Sequence, residues 1–239
     1  MEDNWLERTQ LLLGNSKIEQ LNNKHVLVVG LGGVGAYAAE MIARAGVGEM
    51  TIVDGDTVNT TNINRQLLAT NSVIGQQKAN LMAQRLRDIN PKIKLNVICE
   101  YIKDDRMIEL LNHNYDYVVD AIDTLSPKVF LIYHCVQMGH KIISCMGAGG
   151  RVDPTKLAIA DISKTYNCKL AFSLRKRLRH MGVTKGVNAV FSSELVEKSS
   201  VMEVTNESNK KSTVGTISYM PALFGIYCAS KVIRDLANL

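Results

Sequence analysis

The 239-residue sequence contains no CxxC pair, and its five cysteines, Cys99, Cys135, Cys145, Cys168 and Cys228, stand singly. Zinc knuckles and disulfide frameworks both need paired spacings, so no zinc is expected and a reduced, cytoplasmic setting fits best. Long apolar runs are missing too. The most apolar late stretch, 219–230, is about half the length of a membrane span and contains Pro221, so it reads as a core helix. The N-terminus, Met-Glu-Asp-Asn, has neither a basic nor an apolar leader region, which argues against secretion. Acidic residues are absent from Ser163 to Ser193, while seven cations fall there: Lys164, Lys169, Arg175, Lys176, Arg177, Arg179 and Lys185. Leu170, Leu174, Leu178 and Met181 recur at helical spacing, predicting a helix with one buried stripe and a cationic opposite face. Two readings of that face stand. It is a solvated surface, or it is a seat for nucleic-acid phosphates built from Lys169, Arg175, Lys176 and Arg179. The remaining composition, 46% hydrophobic and 21% charged with a net charge of +5, describes a globular chain long enough to bury a core and selects no chemistry.

What is present is organised around His25 to Gly35, where an apolar run, Val26-Leu27-Val28-Val29, meets Gly30, Gly32, Gly33 and Gly35 without a spacer. This predicts a buried parallel strand, a tight turn and a helix whose unpaired N–H groups face an anion. Dinucleotide enzymes and ATP-using adenylating enzymes both use such a turn. The residues downstream must discriminate between them.

Along the chain, 1–22 reads as a helical arm and 35–45 as a helix. Strands are expected at 50–54, 94–99, 117–123, 141–145 and 156–160, with helices opening near Lys78 and covering 106–111, 125–138, 170–180 and 219–237. The alternation predicts a doubly wound, mostly parallel Rossmann-like α/β sheet with helices on both faces, extended by a C-terminal α/β segment. We expect one domain: the arm 1–22, a nucleotide-binding core 23–150, and a substrate-binding and dimerisation segment 151–239 with a mobile loop at 197–213. In such sheets ligands sit at the C-terminal ends of the strands, where Gly30, Asp54 and Asp123 fall. Asp54, 24 residues after Gly30, stands where a carboxylate meets a nucleotide ribose, although a simple strand-end turn, Asp54-Gly55-Asp56, is the plainer reading.

Activating a carboxylate with ATP brings two anions together, which demands cations for the polyphosphate and an acidic ligand for a metal. Arg65, Lys78 and Asp123 supply that set, and hydride transfer has no need of it. With Gly30 to Gly35, Asp54-Gly55-Asp56, Asn62 to Gln66, Lys78 and the Asp120 to Asp123 strand end, residues 8–155 resemble the ThiF-type, ubiquitin-activating-like adenylating superfamily. The resemblance implies ATP and magnesium as cofactors. Asp54 would hold the ribose, Asn62, Arg65 and Lys78 would contact phosphates, and Asp123 would ligate magnesium, with Asp56 and Gln66 lining the same site. It also implies that Arg8 reaches into the ATP site of a partner subunit, which makes a homodimer.

The second half, Gly147 to Thr155, Asp161 to Thr165, the cationic helix and Pro221 to Gly225, resembles the tRNA threonylcarbamoyladenosine dehydratases within that superfamily. By that resemblance the threonyl carboxylate of the modified base beside the anticodon is adenylated, the carbamoyl group attacks intramolecularly, and AMP leaves as a ring closes. The implied partner is tRNA carrying threonylcarbamoyladenosine; a sulfur-transfer protein remains open as a second one. Relatives that activate proteins commonly carry two zinc CxxC pairs, and some use a transfer cysteine. This chain lacks the pairs, and ring closure needs no thioester, so Cys168 is not expected to be catalytic and Cys145 is expected in the core. The chain ends at Leu239 soon after the last helix, so a membrane-associating tail is not expected. Three alternatives stay open: an activator of a ubiquitin-like or sulfur-carrier C-terminus, an NAD-dependent oxidoreductase, and a nucleotide-binding scaffold without turnover.

Overall fold

The computed structural model describes residues 4–203 and 212–239. In chain order the elements are α1 (Glu7–Leu13), α2 (Asn15–Asn22), β1 (His25–Val29), α3 (Gly35–Arg44), β2 (Glu49–Val53), α4 (Lys78–Ile89), β3 (Lys94–Ile98), α5 (Asp104–Leu111), β4 (Tyr117–Asp120), α6 (Leu125–Gln137) and β5 (Ile142–Cys145). There follow β6 (Leu157–Asp161), α7 (Lys169–His180), β7 (Asn188–Ser192), β8 (Val201–Glu203), β9 (Ser212–Val214) and α8 (Tyr219–Leu236).

Seven strands form one sheet in the order β3-β2-β1-β4-β5-β7-β6, parallel throughout except where β6 runs against β7. The strand order turns back at β1 and β4, so the two halves of the sheet diverge there and open a crevice at their C-terminal ends. Side chains alternate across the sheet. Val26, Val28, Met50, Ile52 and Val119 pack under α3, α4 and α8, whereas Leu27, Val29, Val53, Val118 and Ile142 pack under α5, α6 and α7. Because both faces are covered, β1 and β4 read as continuous apolar runs rather than alternating ones.

Several elements differ from the sequence expectation. The arm is two helices, broken at Gly14, whose φ of +84° a helix cannot contain. β4 stops at Asp120, and Ala121 to Asp123 form a loop because Ala121 is pressed against the glycine turn. β7 was not expected at all; its short run Ala189-Val190-Phe191 lies buried between β5 and β6. On α7 the buried stripe is Ala171, Leu174 and Leu178, while Met181, expected in it, is 38% exposed beyond the helix end. Within 197–213, Val201–Glu203 and Ser212–Val214 pair as an antiparallel ribbon; residues 204–211 of the expected loop, like residues 1–3 of the arm, lie outside the described residues. Among the described residues no helix is long and apolar enough to cross a membrane.

Candidate active site

The glycine turn is built by contact. Gly30, just past β1, has φ +89°, and a Cβ there would meet the Ala121 carbonyl oxygen at 2.8 Å. At Gly35, the first residue of α3, a Cβ would fall 1.7 Å from the Gly30 carbonyl oxygen. Only glycine lets helix, turn and the β4 loop close on one another at this spot. Residues 62–66 lie over the same turn. A Cβ on Gly33 would sit 3.3 Å from the Arg65 carbonyl oxygen, and one on Gly32 3.6 Å from Gln66 Nε2.

Asp54 follows β2 and is fixed by two backbone donors, Leu31 N–H to Oδ2 at 2.6 Å and Asp56 N–H to Oδ1 at 2.8 Å. Burial pushes its carboxyl above the ordinary aspartate range, against the downward pull of those N–H groups and of Lys78. Lys78 opens α4, is buried, and donates from Nζ to Asp56 Oδ2 at 2.9 Å. Tyr101, just past β3, donates its hydroxyl to the other oxygen of Asp56, and that bond pushes the phenol up to about 12. Asp56 therefore serves here as the counter-ion of Lys78.

Arg65 folds back on its own loop, with Nη1 donating to the Thr61 carbonyl at 2.8 Å and to Asn64 Oδ1 at 2.9 Å. Asn62 is buried, and its Oδ1 accepts from Asn59 N–H at 3.1 Å in a capping box around the 3-10 turn Thr60–Asn62. Its amide oxygen thus shapes the loop that carries Arg65. The Oε1 atoms of Gln66 and Gln77 are buried without a hydrogen-bond partner in the protein.

Asp123 is exposed in the loop between β4 and α6. The preceding residue is held from both sides: Ile122 N–H donates to Asp120 Oδ1 at 3.1 Å, and the Ile122 carbonyl accepts from Lys128 Nζ at 2.9 Å. Sequence reasoning missed this Asp120–Lys128 support. Its signal was an acid at the end of an apolar strand and a lysine in the first turn of a largely apolar helix. Among the described residues no group of three or more His, Cys, Asp or Glu can hold a metal ion. A single carboxylate beside a polyphosphate still suits magnesium, which usually takes one or two protein carboxylates together with substrate oxygens.

Arg8 is not brought to this group within one chain. It is exposed on α1, whose neighbour Leu6 packs where a Cβ on Gly46 would be, at the far end of α3 from Gly35. α1 buries no residue, and Leu11 and Leu12 are both 82% exposed.

α7 begins beside the C-terminal end of β5, where Cys168 Sγ would lie 3.9 Å from a Cβ on Gly147. Cys168 is 7% exposed and caps the helix, its Sγ accepting from Ala171 N–H, and Cys145 is buried at the end of β5. Lys169, Lys176 and Arg179 are exposed. Arg175, expected among them, instead turns aside and donates to Thr165 Oγ1, because its position flanks the buried stripe. Arg177 Nη1 reaches Ser126 Oγ at 2.9 Å, three residues past Asp123, which ties the cationic helix to the start of α6. Arg151 is fully buried, with Nη2 on the Asn167 carbonyl at 2.6 Å and no protein partner for Nε or Nη1.

The profile of the ThiF family matches residues 6–239. A tRNA threonylcarbamoyladenosine dehydratase of Bacillus subtilis is 38% identical over 236 residues, covering 96% of this chain and 93% of the relative. The enzyme of the same name from Escherichia coli is 36% identical, covering 99% and 96%. The crystal structure of the Escherichia coli dehydratase TcdA in complex with ATP superposes with a TM-score of 0.89 at 34% identity, covering 99% of this chain and 96% of that one. Escherichia coli MccB, at 18% identity and a TM-score of 0.66, shares the fold. With its glycine turn, its strand-end carboxylates and a match from residue 6 to the last, this chain belongs to the ThiF family.

Proposed function

We propose that this protein adenylates the threonyl carboxylate of threonylcarbamoyladenosine in tRNA and closes the ring with loss of one water. The observation that carries the reading is the near full-length likeness to the dehydratases, whose TcdA member has been crystallised with ATP and with AMP, in a chain that gathers Asp54, Lys78, Arg65 and Asp123 about the C-terminal ends of β1, β2 and β4.

The glycine turn offers backbone N–H groups to the phosphates, and Asp54 accepts hydrogen bonds from ribose hydroxyls. Arg65 and Lys78 neutralise the polyphosphate so that the carboxylate can approach. For Lys78 this requires its ammonium to exchange part of its bond to Asp56 for phosphate oxygens. Asn62 acts through the loop that presents Arg65, and Gln66 offers its unpartnered oxygen over the glycine turn. Asp123 would hold magnesium together with the nucleotide, and a bound magnesium supplies charge neutralisation. A carboxylate oxygen bonds to the α-phosphorus and pyrophosphate departs; the carbamoyl group then attacks the acyl carbon and that oxygen leaves on AMP.

We read residues 1–239 as one adenylating domain in a cytoplasmic homodimer, with α1 as the arm that carries Arg8 to the neighbouring site. The exposure of Leu11 and Leu12 supports a second copy as their cover. Lys169, Lys176 and Arg179 make the phosphate-binding face, with Arg175 bracing it. A thioester route through Cys168 finds no support, because the thiol is buried and capping a helix.

Incubation with ATP, magnesium and tRNA bearing threonylcarbamoyladenosine, followed by mass analysis of the nucleoside, tests the reading. ATP-dependent loss of one water is expected. An unchanged nucleoside despite ATP turnover would move the substrate to another carboxylate.

A further inference from the structure

Lys169, Phe172, Lys176 and Arg179 recur on α7 at intervals of three and four residues, the spacing that places side chains on one helical face. Ala171, Leu174 and Leu178 are buried on the opposite side, so this face points to solvent. Phe172 is 64% exposed in the middle of it. Solvation accounts for the cations and not for the ring, which covers no core and costs hydration free energy where it stands.

We propose that Phe172 is a stacking platform for an unpaired base of the substrate RNA, with Lys169, Lys176 and Arg179 taking the phosphates on either side. The inference rests on the reading of tRNA as substrate and names the contact that reading lacks. A cationic face alone attracts any polyanion. An exposed ring set among cations matches the alternation of phosphate and planar base in a single strand, where stacking is tolerant of sequence. The segment from Ser163 to Ser193 has no acid to repel such a strand. The position is also apt: α7 starts beside the end of β5, and Arg177 bonds to Ser126 next to the Asp123 loop, so nucleotides flanking a base held at the ATP site would pass along this helix.

Equilibrium binding of tRNA carrying threonylcarbamoyladenosine, measured over a series of salt concentrations, separates stacking from charge. Phe172→Ala is expected to weaken binding about 10-fold with the slope of log affinity against log salt unchanged. Lys176→Gln should lower that slope by a little under one. Phe172→Trp should keep the affinity, and its emission above that of Trp5 should quench on addition of tRNA. Wild-type affinity in Phe172→Ala, or an unquenched Phe172→Trp at saturation, overturns the proposal while leaving the substrate reading in place. Absence of salt-dependent tRNA binding by the unaltered protein overturns both.

Discussion

Lys128 Nζ lies 2.9 Å from Asp120 Oδ2, and neither side chain is exposed to any degree. Each charge is further satisfied, Asp120 by Ser144 Oγ at 2.6 Å and by Ile122 N–H, Lys128 by the Ile122 carbonyl. The pair therefore grips the backbone of the residue before Asp123 from both sides. A buried ion pair is a weak source of net stability but a costly thing to break.

Lys128→Met should accordingly lose about 3–5 kcal/mol of stability, because it strands a buried carboxylate. Asp120→Asn combined with Lys128→Met should recover part of that loss. Urea unfolding of the single and double variants checks both, and the double variant should still turn over poorly because the Ile122 carbonyl has lost its donor.

Asp123→Ala should abolish turnover and leave the melting temperature within a degree or two of wild type, since an exposed side chain in a loop contributes little to packing. Thermal unfolding alongside AMP release measures both. Normal turnover in this variant would remove Asp123 from the mechanism.

The pH dependence of nucleotide affinity should report Asp54. Burial raises its carboxyl above the usual range, and the ionised form, with both oxygens free of a proton, is the stronger acceptor for ribose hydroxyls. Affinity for ATP should therefore begin to fall at a higher pH than an ordinary aspartate would give, and Asp54→Asn should bind weakly with no such limb. For the free protein the sign is opposite. A folded-state value above the unfolded one means that protonation favours the fold, so this contribution is fully present below the unfolded value and is lost as pH rises through the folded one. Calorimetric titration with ATP across the acid range reads the first effect, and thermal unfolding without nucleotide the second.

Replacing Lys169, Lys176 and Arg179 together should weaken tRNA binding most at low salt, lowering the salt slope by about two to three, and leave ATP binding near wild type. Including Arg175 should add instability instead of a further change in slope, because its guanidinium is committed to Thr165. An unaltered tRNA affinity in the triple variant would return the helix to a merely solvated face.

The parallel sheet was legible because its strands are apolar runs closed by glycine or acid, and those ends are also where the ligand crevice lies. The glycine turn at Gly30 and Gly35 and the strand-end positions of Asp54 and Asp123 follow from the same pattern. Asp56 illustrates what spacing cannot show, because its bond to Lys78 joins residues 22 apart in sequence; Asn62 caps the loop of Arg65 through a local bond to Asn59 three residues before it. β7 escaped because five residues of strand inside an acid-free, cationic segment carry almost no periodic signal. Arg175 was expected on the exposed cationic face; the buried stripe is centred on Ala171, Leu174 and Leu178, which turns the helix relative to a stripe of leucines and Met181. The Asp120–Lys128 pair was missed because its signal, an acid ending an apolar strand and a lysine in the first turn of an apolar helix, does not by itself tell a buried pair from two surface charges.

The measurement that tests the central claim most directly is the ratio of AMP released to nucleoside dehydrated, with modified and unmodified tRNA compared under ATP and magnesium. Adenylation followed by ring closure predicts one AMP for each water lost and almost no AMP when the tRNA lacks threonylcarbamoyladenosine. AMP release that is indifferent to the modification, or dehydration without AMP, would contradict it.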